Sequence, residues 1–190
     1  DRCLSRGLGD VYKRQEKMRK IKAARDKMMQ SKTEEKGLII VNTGTGKGKS
    51  SSGFGMILRC IAHDMQSAVV QFIKGSWMTG ELKLLSDMFP NQVQFVASGE
   101  GFTWETQDKD RDIAAAQEGW AKAKSFILDP SIRFVLLDEI NIALRYDYIN
   151  IDEVVDFLLF EKPTMTHVCL TGRNAKTELI EAADMVTDME

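Results

Sequence analysis

Cysteine is scarce in this chain of 190 residues: Cys3, Cys60 and Cys169 are few, odd in number and far apart, with no Cys-x-x-Cys pair. That argues against a disulfide framework or a structural zinc site, and for a reducing compartment. The two histidines, His63 and His167, have no partner at metal-ligand spacing, so packing or surface roles are expected of both. No Ser-His-Asp pattern occurs, and the acids from Asp152 to Asp156 read as the solvated face of a helix. No apolar run is long enough to span a bilayer, and the first residues lack a secretion-signal pattern, so a cytoplasmic chain with no membrane partner is expected. An excess of one charge is missing too: a formal net charge of −2 offers no global attraction to nucleic acid or to an anionic membrane. Internal repeats and low-complexity segments are absent. The remaining composition is that of an ordinary globular domain large enough to bury a core.

What is present is concentrated in one short segment. Leu38-Ile39-Ile40-Val41 is a strand-like run, followed by Thr43-Gly44-Thr45-Gly46-Lys47-Gly48-Lys49-Ser50 and a helix-like stretch from Lys49 to His63. A glycine-rich turn between a buried strand and a helix leaves several backbone N–H groups pointing into one concavity. The helix dipole adds partial positive charge there, so the segment suits a polyphosphate. Lys49 would reach the terminal phosphates, and the Ser50 hydroxyl would face a magnesium ion. The usual phosphate loop has four residues between its first glycine and the Gly-Lys pair. Here Thr43 stands at that first position, Gly44 comes one residue late, and Lys47 adds a charge that most such loops lack. Gly44, Thr45, Gly46, Lys47, Gly48, Lys49, Ser50 and Ser51 are the candidate nucleotide-binding residues. Strand, glycines, lysine, serine and helix agree, which argues against a turn without a ligand.

Residues 1–15 fit neither helix nor strand periodicity and read as an unrelated or disordered leader. Residues 16–36 are charged and lack glycine and proline, and Met18, Ile21, Ala24 and Met28 recur at helical spacing. This is a helical arm, either solvated or docked on a partner subunit. Residues 37–190 form the main domain, in which strands and helices alternate. Strand-like runs are 38–42, 68–73, 93–97, 134–138 and 167–171; helix-like segments are 49–63, 80–88, 108–128, 152–160 and 175–183. Several strands are continuous apolar runs, which suits a parallel sheet covered on both faces. The expected fold is α/β, a doubly wound, mostly parallel sheet flanked by helices, of the P-loop NTPase (RecA-like) kind, with ligands at the carboxyl ends of the strands.

Arg133-Phe134-Val135-Leu136-Leu137-Asp138-Glu139 is a buried strand ending in two acids. In P-loop proteins such a strand lies beside the phosphate loop and its carboxylate holds the metal or its water, so Asp138 and Glu139 join Ser50 as the candidate metal set. Adjacent strand residues point to opposite faces, so the two acids should have different tasks, and either could be the direct ligand. Gly99-Glu100-Gly101-Phe102-Thr103-Trp104-Glu105-Thr106 places two aromatics on a glycine-flanked loop, where they either plug the end of the domain or meet a ligand. Arg173 follows the last strand-like run and could set its guanidinium against phosphate oxygens. Arg59, one helix length after the loop, is a weaker candidate of the same kind.

Together these segments resemble the P-loop family of ATP:corrinoid adenosyltransferases, from about Lys36 to Glu190. The resemblance rests on Gly44-Thr45-Gly46-Lys47-Gly48-Lys49-Ser50, Val70-Gln71-Phe72-Ile73-Lys74-Gly75, Gly101-Phe102-Thr103-Trp104-Glu105-Thr106, Leu137-Asp138-Glu139, Tyr146-Asp147-Tyr148 and Thr171-Gly172-Arg173. Family loops usually carry Thr where this chain has Ser50, a change that keeps the hydroxyl. Family members also continue for a short segment past the position of Glu190, so the resemblance implies a missing C-terminal tail.

The resemblance implies a reaction in which reduced Co(I) attacks the ribose C5′ of ATP and displaces triphosphate. Lys47, Lys49 and Arg173 would be the catalytic cations, with Mg²⁺, or Mn²⁺ in its place, beside the loop N–H groups. Arg59 would belong to the ATP set. Phe102 and Trp104 would pack on the lower face of the corrin and exclude its axial ligand. The resemblance also implies a homodimer through the N-terminal helix and a flavoprotein electron donor. Two other readings use the same loop and acids: a P-loop ATPase or small-molecule kinase acting at the γ-phosphorus, and an inactive corrinoid- or nucleotide-binding carrier. A nucleic-acid motor is disfavoured, because no basic, aromatic-rich groove is visible.

Overall fold

A computed structural model of the chain describes residues 2–72, 79–98 and 108–190. It divides into two compact units, Asp1–Glu35 and Lys36–Glu190. The first holds one helix, α1 (Arg2–Gln30). It starts well before Glu16 and stops short of Lys36, so residues 2–15 are helical where their pattern suggested no regular structure. Backbone i→i−4 bonds propagate from the good helix formers that follow, and the segment contains no proline to stop them. Met18, Ile21 and Met28 are half-exposed along this helix, and Glu16 pairs with Lys20 one turn on at 3.1 Å. No helix among the described residues is long and apolar enough to cross a membrane.

In the second unit six strands form one all-parallel sheet: β1 (Ile39–Thr43), β2 (Gln66–Gln71), β3 (Val93–Ala97), β4 (Ile132–Asp138), β5 (His167–Thr171) and β6 (Met185–Asp188). Their order is β3-β2-β4-β5-β1-β6. Successive side chains alternate between two cores. Val135 and Leu137 of β4 face a cluster with Trp120, Phe126 and Ile127, while Phe134 and Leu136 face one with Phe54, Ile57 and Leu85. Burial on both faces explains the unbroken apolar runs.

Helices α2 (Lys49–Ile61) and α3 (Gly80–Met88) supply apolar residues to one core. The other takes them from α4 (Lys109–Leu128), α5 (Ile140–Arg145), α6 (Ile151–Asp156) with its π turn (Phe157–Glu161), and α7 (Thr177–Ala182). The fold is therefore the doubly wound α/β architecture. Side-chain caps start several helices: Thr79 accepts from Leu82 N at 3.3 Å, Asp108 from Arg111 N at 3.2 Å, and Asn150 from Asp152 N at 2.8 Å. Each leaves one fewer helix-end N–H unpaired. Trp120 packs edge-on against Phe157 with centroids 5.4 Å apart and donates to Glu153 Oε1 at 2.9 Å. Cys60 and Cys169 are free and buried.

Two elements lie outside the sequence reading. Strand β6 is exposed at all four positions, so it has no apolar pattern to betray it and exists by pairing with β1. Helix α5 follows directly on β4, because Glu139 turns the chain with a left-handed backbone, φ 63°.

Candidate functional site

Strand β1 delivers the glycine-rich loop to the carboxyl edge of the sheet. Gly44 and Gly48 have φ of 99° and 107°, values open to glycine and strained for other residues. Gly48 occupies the N-cap of α2, and Lys49 is the first residue of that helix. Lys49 is only 7% exposed, and its ammonium donates to the Gly46 carbonyl at 2.5 Å. The amine is thus folded back over its own loop beside the amides that would meet an anion. Thr45, Lys47 and Ser51 are exposed, and Ser50 is half-buried at the helix start.

The loop is braced from two sides. Buried Asn42 donates to the Lys49 carbonyl at 3.4 Å, and the Thr43 hydroxyl accepts from Ala175 N at 3.0 Å. On the β6 side Met189 N donates to Thr43 O at 3.0 Å, and Gly46 N donates to Met189 O at 2.6 Å. A Cβ on Gly46 would lie 2.7 Å from the Glu190 backbone, so the close approach itself needs glycine there. A cavity of about 280 Å³ opens beside the loop, lined by residues that include Thr45, Asn174 and Asp188.

The acid-bearing strand β4 is not a neighbour of β1, because β5 lies between them. The expectation that it lies beside the phosphate loop is corrected to one strand removed. All strands run parallel, so both ends still reach the same edge of the sheet. Asp138 is fully buried, with Oδ2 accepting from Gln71 Nε2 at 2.9 Å and Oδ1 from the Thr171 hydroxyl at 2.8 Å. Glu139 is half-buried, and its N–H donates to the Thr171 oxygen at 3.0 Å. The two acids do differ in environment: one is packed inside the sheet end, the other stands at the turn. Beneath them burial, helped by the charge of Asp138, pushes the Cys169 thiol up to about 12, so it stays a neutral packing group.

Arg173 is exposed at the same edge, on the turn after β5. That turn is shaped by Gly172, φ 130°, whose carbonyl accepts from buried Asn141 Nδ2 at 3.0 Å. The structure thus brings Lys49, Ser50, Asp138, Glu139 and Arg173 to one edge of the sheet. It does not bring Arg59 there. That residue is on the last turn of α2, ten residues or about 15 Å along the helix from Lys49. It lines an apolar cavity of about 320 Å³ with Leu38, Met65 and His167, at the amino ends of the strands. Phe102 and Trp104 lie outside the described residues.

Four buried polar residues of the site were given no role from the sequence, although Gln71 and Thr171 stand in its motifs: Asn42, Gln71, Asn141 and Thr171. Three share one signal, a polar residue within the last two positions of a strand, directly after an apolar run. Asn141 has no comparable signal, since it sits in a short helix that the sequence conceals.

The chain matches the family model described as ATP:corrinoid adenosyltransferase BtuR/CobO/CobP over residues 35–190. It is 66% identical over 174 residues to a corrinoid adenosyltransferase of Sinorhizobium sp, covering 92% of this chain and 81% of that one. A corrinoid adenosyltransferase of Pseudomonas aeruginosa is 47% identical over 174 residues, 92% of this chain and 85% of the relative. One from Escherichia coli (strain K12) is 40% identical over 175 residues, 92% of this chain and 87% of the relative.

Proposed function

The chain belongs to the ATP:corrinoid adenosyltransferase family, and on that premise we propose that it transfers the 5′-deoxyadenosyl group of ATP to the reduced cobalt of a corrinoid. The cobalt electron pair forms the bond to C5′, the C5′–O bond breaks, and its electrons leave on inorganic triphosphate. The observation that carries this reading is the loop, where a buried lysine, two glycines at positive φ and a helix start share one short segment. The additional Lys47 suits a leaving group that departs whole with all its charge. Lys47, Lys49, Arg173 and the loop N–H groups would stabilise that charge as it grows. The nucleophile belongs to the substrate, so the chain's task is alignment and electrostatics, with no side chain as nucleophile or general base.

The donor set fits magnesium. The Ser50 hydroxyl and the carboxylates of Asp138 and Glu139 are hard oxygen donors, and among the described residues no cluster of three His, Cys, Asp or Glu gathers. Phosphate oxygens and water would complete the shell, the usual way magnesium is held. The ion, when bound, would neutralise part of the triphosphate charge. Phe102 and Trp104 are proposed to lie against the corrin, whose wide apolar faces need flat apolar partners. A homodimer through the N-terminal helix is supported by the exposed row of Met18, Ile21 and Met28 on α1, and a flavoprotein is the proposed electron donor.

Incubation with ATP, Mg²⁺ and chemically reduced cobalamin tests the reading. Adenosylated corrinoid and triphosphate are expected in equal amounts. ADP and phosphate without adenosylation would mark a γ-phosphoryl enzyme, and binding without turnover a carrier.

A further inference from the structure

Three neighbouring strands each end on a buried polar side chain, and these meet at the carboxyl edge of the sheet: Gln71 from β2, Asp138 from β4 and Thr171 from β5. Gln71 Nε2 donates to Asp138 Oδ2 at 2.9 Å, and the Thr171 hydroxyl donates to Oδ1 at 2.8 Å. The Thr171 oxygen already accepts the Glu139 N–H at 3.0 Å. A hydroxyl has one proton, so that proton is committed to Asp138 and the bond directions across the strands are set. The sheet does not need this arrangement for stability. Its strands are paired through their backbones, and a fully buried carboxylate costs more desolvation than an apolar residue of similar size.

The same hydroxyl joins two turns. Thr171 immediately precedes Gly172-Arg173, and Glu139 bends the chain with φ 63°. A Cβ on Gly172 would lie 3.2 Å from Glu139 Oε2 and 2.9 Å from Asn141 Cβ, so the acid turn and the arginine turn are in contact. Asn141, which donates to the Gly172 carbonyl at 3.0 Å, ties them a second time.

We propose that Thr171, backed by Gln71, is a positioning residue for adenosyl transfer: its hydroxyl fastens the Asp138-Glu139 turn to the Gly172-Arg173 turn, so that the acids and the arginine address the triphosphate in one fixed arrangement. This inference rests on the adenosyltransferase reading of the edge. Nothing in the chemistry requires Thr171 to touch the substrate; it acts through Glu139 and Arg173.

The test compares the parent with Thr171→Val, which keeps shape and loses the hydroxyl, and Thr171→Ser, which restores it. Turnover of the parent to triphosphate is the control for the reading itself; its absence defeats that reading before any variant is compared. With the control met, Thr171→Val should lose about 10- to 100-fold in kcat, with KM for the corrinoid within about twofold. Calorimetric affinity for magnesium triphosphate alone should fall about tenfold, and Thr171→Ser should recover both to within about threefold of the parent. Parental kcat and triphosphate affinity in Thr171→Val would overturn the proposal, even with a lowered melting temperature. So would a Thr171→Ser protein as impaired as Thr171→Val. If Thr171→Val does not fold, Gln71→Leu decides: a kcat loss of about fivefold or more at unchanged corrinoid KM supports the proposal, and parental kcat overturns it.

Discussion

A lysine that is 7% exposed, its ammonium 2.5 Å from a loop carbonyl, is placed for an anion that would replace that carbonyl. Lys49→Ala removes the charge and leaves the backbone cradle, so the fold should survive. Turnover should fall by at least about 100-fold, corresponding to about 3 kcal/mol of lost charge stabilisation. Steady-state kinetics on a variant with parental circular dichroism checks this. A second residue-scale effect concerns His167, whose Nδ1 accepts from Leu38 N at 3.1 Å. Burial, then the charges of Lys162 and Arg133, hold its pKa below the ordinary 6.5. The unfolded chain therefore takes up a proton first as pH falls. His167 contributes stability that is fully present above about pH 6.5 and is lost below it, towards the folded value. Denaturant unfolding at about pH 7.5 and about pH 5.5 should show a loss on acidification that is smaller in His167→Asn. At this scale the loop was legible because its residues are consecutive. The partnership of Gln71 and Thr171 through Asp138 was not, because it spans strands far apart in the sequence.

Between elements, Gly37 marks where the entry of β1 meets the entry of β5. Its N–H donates to Thr164 O at 2.6 Å, and its carbonyl accepts from Lys162 Nζ at 3.1 Å, an amine that also donates to Thr166 O at 2.9 Å. A Cβ on Gly37 would meet the Thr166 carbonyl and come 2.6 Å from the Met165 carbonyl carbon, backbone atoms that no rotamer change can move. Gly37→Ala should cost about 2–3 kcal/mol, read as a lowered urea midpoint with unchanged activity per folded molecule. The elements were legible in proportion to their apolar content. Gly80–Met88, Val93–Ala97 and His167–Thr171 match their expected limits, whereas exposed β6 and six-residue α5 gave no periodic signal. Helix α6 shows a subtler case: the apolar pattern continues through Phe160, but the hydrogen bonding widens into a π turn at Phe157, which periodicity cannot distinguish.

Over the whole molecule, the division at Glu35 makes a direct prediction. Deleting residues 1–35 should leave residues 36–190 cooperatively folded, with a melting temperature within about 5 °C of the parent, because all of the sheet and both cores lie beyond the cut. If the arm docks on a second copy, light scattering should show the mass of the shortened chain falling to that of a monomer, and turnover should drop with it. Unchanged mass in dimeric form would place the dimer contact elsewhere. Sequence alone determined the α/β class, the phosphate loop and the acid-ended strand, because each depends on neighbours in the chain: hydrophobic runs, glycines at a turn, a lysine at a helix start. Strand order was decided only by the tertiary structure. It sets β5 between the acids and the loop and joins the Asp138 and Arg173 turns through one hydroxyl. Those relations arise when helices crossing over the sheet bring distant strand ends together, and local propensity does not encode that assembly.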